Sequence, residues 1–238
     1  MDKIETKILN CSAIREAEKN MVFTARLTQR GHLIHNMEDL IWLYNNSFTN
    51  DTVRNMGSLP HPTIQKFTVI TVAVVGASRR FLSQITRQQN EVKFTSASLQ
   101  YSNYSGEAAF VKPYETLTAP PDIQKLYERS CQSDMDCYEQ LCKAGISHDS
   151  AGYVTTWSPE CSDHQFFPPF EWKHIIGQRS CRRNTAEMRI VIPNIWQDLY
   201  NLSPTLFLPE QAGPFCQRCE CLEGKMSCGP PIPPQYSS

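Results

Sequence analysis

Between Ser83 and Gly106 the chain reads "SQITRQQNEVKFTSASLQYSNYSG", a dense set of amides and hydroxyls around Arg87. A guanidinium offers paired, charge-assisted donors to a phosphate or carboxylate. Side-chain amides such as Gln84, Gln88, Gln89 and Gln100 both donate and accept, so they can read the edge of a polar ring. Together with the hydroxyl of Ser98 these groups suit a planar, anionic ligand held locally. The competing reading is a solvated helix end, the common fate of a polar run.

The far end of the chain offers a different chemistry. Cys216, Cys219, Cys221 and Cys228 follow the pattern Cys-x2-Cys-x-Cys-x6-Cys beside Gly213, Gly224 and Gly229. Four thiolates that close in sequence can surround a tetrahedral zinc, and such a clip would order a tail too polar to fold by itself. A redox pair and simple free thiols are the alternatives. The histidines at 32, 35, 148, 164 and 174 fall at no metal-ligand spacing with one another. His61 lies beside Pro62, where a surface turn explains it equally well, and Arg179 sits in a helical pattern where ion pairing is the plain alternative.

The elements that must position these groups are legible in outline. "IETKILN" alternates as a strand, and residues 12–30 carry apolar residues at helical spacing with Ser12 as the expected N-cap. "MEDLIWLYNNS" predicts a short helix. "FTVITVAV" is β-branched and apolar, a buried strand, and "SRRFLSQITRQQN" after it reads as a helix carrying the polar cluster at its far end. Pro120 and Pro121 open a long helix, Asp122 sits in its first turn and Gly145 closes it. Residues 146–170 read as irregular. An amphipathic helix is expected from Trp172 to Pro193, with another at "NIWQDLYNLSP". The expected architecture is α+β with helices in the majority: one domain over residues 1–212 and a cysteine- and proline-rich appendage over 213–238.

Composition narrows the function classes. With 23 basic and 24 acidic residues there is no global positive field for nucleic acid or an anionic membrane. The tail's basic residues, Arg218 and Lys225, are too few for a nucleic-acid grip. The longest apolar stretch, residues 67–77, falls short of the roughly 20 residues of a membrane span. The acidic start lacks the form of a signal peptide, so a cytoplasmic protein with reduced thiols is expected.

These residues resemble the flavin-dependent thymidylate synthases, the ThyX family. The resemblance runs from "KILN" and "TARLT" through "HPT", residues 67–113 and "YEQLCKAGI" to "QRSCRRNTAEMRI" and "LSPTLFLPEQAGPFC". The spacing in "SQITRQQN" and "SLQYS" is similar to the family's glutamine, Arg-His-Arg triplet, serine and Arg-Tyr pair, with one extra residue in the loop. The resemblance implies FAD as cofactor, dUMP or a related pyrimidine nucleotide as acceptor, methylenetetrahydrofolate as carbon donor and NADPH as reductant, in a homotetramer. Carried over by position, Gln84, Arg87, Ser98, Gln100 and Arg179 face the nucleotide, with Arg87 and Arg179 at the chemistry. Thr28, His61, Thr63, Arg87, Gln88 and Gln89 take the flavin.

The departures are concentrated in the same places. Gln88 and Gln89 stand for the motif's histidine and second arginine, and Gln100 for the arginine before the tyrosine. Lys66, Phe67, Gly152, Pro168 and Phe170 replace other polar or charged family positions. Each lost bond to a phosphate removes about 1.5–3 kcal/mol. The sequence therefore leaves open an altered pyrimidine pocket and, against it, a relative that keeps the fold without flavin catalysis.

Overall fold

The computed structural model describes residues 4–59, 61–88, 93–98, 100–106, 110–155, 160–221 and 223–228. Along the chain it places β1 (Glu5–Ile8), α1 (Ser12–Arg30), α2 (Met37–Asn46), α3 (Asn50–Gly57), β2 (Ile70–Ser78), α4 (Arg79–Ile85) and β3 (Lys93–Ser96). There follow α5 (Tyr114–Leu117), α6 (Pro121–Lys143), α7 (His148–Ala151), β4 (Glu160–Phe167), α8 (Pro169–Arg179), α9 (Ala186–Leu202) and α10 (Pro209–Ala212). The strands form one sheet in the order β1-β2-β4-β3, and helices dominate, so the fold is α+β as the sequence predicts.

The chain divides into two compact units. The first comprises Met1–Thr6, Ala73–Gln89 and Phe94–Gln165. In it, α6 turns Met135 and Tyr138 inward one helical turn apart, where they pack with Ala151 of α7 and with Tyr104, Phe110 and Leu141. The Tyr138 hydroxyl accepts the Tyr104 backbone N–H at 3.2 Å and lies 3.1 Å from His148 Nδ1, so this buried phenol is satisfied.

The second unit comprises Lys7–Val72, Asn90–Lys93 and Phe166–Ser238. Ile14, Ala17, Met21, Val22 and Ala25 give α1 a continuous buried stripe. Glu18 is buried on the same face and is held at both oxygens, by Arg15 and by the Ser203 hydroxyl. Burial of a carboxylate is tolerable only with such partners. Trp172 of α8 is fully buried, packs edge-on to Phe167 at 4.6 Å and donates from Nε1 to the Ile70 carbonyl at 3.3 Å.

Several expectations need correction. Ser12 is the first helical residue rather than the cap: Cys11 holds that position without a side-chain bond to the helix. The helix expected from Trp172 to Pro193 is two helices, broken between Arg179 and Ala186, and α9 runs through Pro193 to Leu202. Burial of Val191, Ile192, Ile195 and Leu199 overrides the lost proline N–H. Residues 146–170, read as irregular, contain α7 and β4.

Candidate functional site

β2 delivers the chain to α4 through Ser78, whose Oγ accepts the Phe81 N–H and caps the helix. The helix is short, and its end passes straight into a turn in which Arg87 N–H donates to the Gln84 carbonyl at 3.4 Å and Gln88 N–H to that of Ile85 at 3.1 Å. Gln84 is half-buried, Arg87 is exposed and Gln88 is buried. Gln89 lies outside the described residues. Past β3, Ser98 holds a second turn: its Oγ accepts from Gln100 N–H at 3.1 Å and its carbonyl from Ser102 N–H at 3.0 Å. Gln100 is exposed there.

Arg79, which the sequence did not single out, ties these two turns to one frame. From the first turn of α4 its Nη2 donates to the Ala97 carbonyl at 2.9 Å and to the Tyr104 hydroxyl at 2.8 Å. It therefore fixes the chain on both sides of Ser98 and Gln100 to the helix that carries Gln84. The available signal was the arginine pair ending the apolar strand, in "GASRRF".

The remaining expected site residues belong to the second unit. Thr28 lies in the last turn of α1 and donates from Oγ1 to the Ala25 carbonyl at 2.8 Å. His61 precedes the short 3-10 turn of residues 62–65 that contains Thr63, and both are exposed. Arg179 closes α8 half-buried, next to Ser180, whose buried hydroxyl has no partner among the described residues. Thr28, His61 and Thr63 thus fall in the second unit, and Arg87 and Gln88 in the first.

A cavity of about 670 Å³ opens in the second unit around Lys173 of α8. Lys173 is buried, and its Nζ donates to the Gly57 carbonyl at 3.0 Å and to Gln211 Oε1 at 3.1 Å. Burial, and then the charge of Arg218, lower its pKa to about 7. Burial, followed by the charges of Arg218 and Arg179, also lowers that of His174. Arg218 reaches the cavity from the tail, pairs with Glu220 at 3.1 Å and lies over the Phe215 ring at 4.9 Å.

The four tail cysteines, expected as a zinc set, are not assembled as one. Among the described residues no group of three or more histidine, cysteine, aspartate or glutamate side chains could hold a metal ion. Cys219 sits at φ 59 and is exposed, Cys221 Sγ points to the Ser227 hydroxyl at 4.0 Å, and Arg182 donates to the Cys228 carbonyl, while Cys216 and Cys228 lie within electrostatic reach of each other and of Cys181. Arg182 also lowers the pKa of the Cys228 thiol, whereas burial raises that of Cys216.

The family model described as Thymidylate synthase complementing protein, Thy1, matches residues 10–205. A flavin-dependent thymidylate synthase of Geobacter sulfurreducens is 25% identical over 172 residues, covering 72% of this chain and 73% of that protein. One from Thermococcus onnurineus is 26% identical over 175 residues, covering 70% and 69%. Among solved structures, the UMP/dUMP methylase PolB from Streptomyces cacaoi, bound with 5-Br dUMP, matches with a TM-score of 0.67 at 14% identity, over 90% of this chain and 96% of that one. Among the described residues no helix is long and apolar enough to cross a membrane.

Proposed function

The chain belongs to the Thy1 family, and from that membership we propose that it is an FAD-dependent enzyme that adds a one-carbon unit to carbon 5 of dUMP or a related pyrimidine nucleotide. The observation that carries the reading is the family match across residues 10–205, which spans both Arg87 and Arg179 and the polar turns between β2 and α5. The carbon donor in this reading is methylenetetrahydrofolate, NADPH is the reductant, and the working form is a homotetramer.

In this reading Arg87 and Ser98 grip the phosphate, one by charge and the other as a neutral donor. Gln84 binds the pyrimidine edge with an amide that matches its alternating donors and acceptors, and Gln100, beside Ser98, is a neutral contact on the phosphate side. Arg179 polarises a ring carbonyl, which favours charge development at the neighbouring carbon. Arg79 positions the turn without touching the ligand, through Ala97 and Tyr104. Thr28, His61, Thr63, Arg87, Gln88 and Gln89 hold FAD, which when bound supplies the electrons that leave a methyl group on the product.

Gln88, Gln89 and Gln100, standing where the family pattern has basic groups, favour one second reading: a family member that binds nucleotide without flavin catalysis. An absorption spectrum of the purified protein before and after adding FAD, followed by a dUMP titration, separates the two. A flavin band near 450 nm, the region expected of oxidised flavin, that shifts on adding dUMP supports the enzyme. Absence of flavin binding at saturating FAD supports the second reading.

A further inference from the structure

The cavity around Lys173 is a built site, and none of the residues assigned above to nucleotide or flavin lines it. Its volume of about 670 Å³ is that of a small-molecule pocket. The fold goes to some length to form it. Phe215 N–H donates to the Gly177 carbonyl at 2.9 Å, and a side chain at Gly177 would overlap the Phe215 ring and crowd the Arg218 guanidinium. Only a glycine in α8 lets the tail lie this close and place Arg218 beside Lys173.

The charges lining the space are Arg54, Lys173, His174 and Arg218 against Glu210 and Glu220. The acceptors on Lys173 are neutral carbonyls, and Glu220 is engaged by Arg218 Nη2. Lys173 is thus buried on neutral acceptors beside the half-buried Arg218, whose charge is shared with Glu220, and an anion bound next to Lys173 would relieve that burial. A second observation points the same way. The side-chain carbonyl of Gln65, a residue only 4% exposed, lines the cavity with no partner among the described residues, and Arg218 Nε is likewise unpaired. Phe170 and Phe215 supply flat apolar wall.

We propose that this cavity binds a phosphate ester of mononucleotide size, with its phosphate between Lys173 and Arg218, its ring against Phe170 and Phe215, and one N–H or O–H donated to Gln65 Oε1. Bringing a dianion to Lys173 favours its charged form, so binding near neutral pH takes up a proton.

Calorimetric titration of the full chain at saturating FAD, with adenosine 5′-monophosphate as probe, tests this. The expected result is binding that inorganic phosphate competes for, at least tenfold weaker for adenosine, with a heat that depends on the ionisation enthalpy of the buffer. Lys173→Met weakens it at least tenfold and removes the buffer dependence. Arg218→Gln, a change on the tail that spares the α8 core, weakens it similarly if the first variant does not fold. The proposal is overturned if the probe does not bind at millimolar concentration, if folded variants bind it as tightly as the wild type, or if FAD displaces it.

Discussion

Lys173 Nζ donates to the backbone carbonyl of Gly57 at 3.0 Å, joining the middle of α8 to the last residue of α3. Close approach makes this possible: a Cβ at Gly57 would stand 3.3 Å from that nitrogen and 3.0 Å from Gln211 Oε1. A lysine so placed is a basic group held where its charge is costly, with the pKa lowered to about 7, chiefly by burial.

Stability should therefore rise with pH across this group's window. Between the folded value near 7 and the ordinary lysine value of 10.5 the unfolded chain binds the extra proton, so raising pH favours the fold. Below about 7 both states are protonated and the full penalty remains. From pH 7 to 9 the contribution is about 2–3 kcal/mol, at about 1.4 kcal/mol per pH unit. Urea unfolding of wild type and Lys173→Met at both pH values checks this, and equal pH slopes in the two proteins would refute it.

Gly177→Ala should destabilise the second unit by about 1–3 kcal/mol, the usual cost of overpacking. The added methyl meets the Phe215 ring, which is tied by its own backbone to the Gly177 carbonyl. A thermal melt reads the loss. The companion change Phe215→Ala makes room for the methyl, so the two effects should not add.

Arg79→Ala should raise KM for dUMP, since it frees the chain on either side of Ser98 without touching ligand. Tyr104→Phe removes one of the two bonds and should cost about 1 kcal/mol of stability with a smaller rise in KM. A drop in kcat alone, with KM unchanged, would contradict a positioning role for Arg79.

Gln100→Arg should tighten dUMP binding about tenfold, because an exposed amide next to Ser98 becomes a charged donor near the phosphate. The gain should shrink with added salt, as a charge effect does at an exposed position. Fluorescence titration at two ionic strengths gives both numbers.

Cys228 should be alkylated by iodoacetamide before Cys216 near pH 8, because Arg182 favours the Cys228 thiolate while burial disfavours that of Cys216. Peptide mapping after brief labelling orders the two. With Arg182→Gln the lead of Cys228 should narrow.

Much of the framework was legible because it is written locally. The apolar stripe of α1, the proline start of α6 and the β-branched run of β2 are patterns within single segments, and the structure keeps all three. The polar run after β2 was legible as a place for ligand-binding groups, since amides, hydroxyls and an arginine are dense there whatever the fold. What the sequence could not show is fixed by distant contacts. β4, "ECSDHQFF", has little strand signal of its own and exists through pairing between β2 and β3. Pro193 lies inside a helix because burial of its neighbours outweighs the missing bond. Lys173 reads in sequence as an ordinary helical lysine. Only the approach of α3 and of the tail over Gly177 turns it into a buried cation beside Arg218, because burial belongs to whatever packs against a residue and not to the residue's own neighbours in the chain.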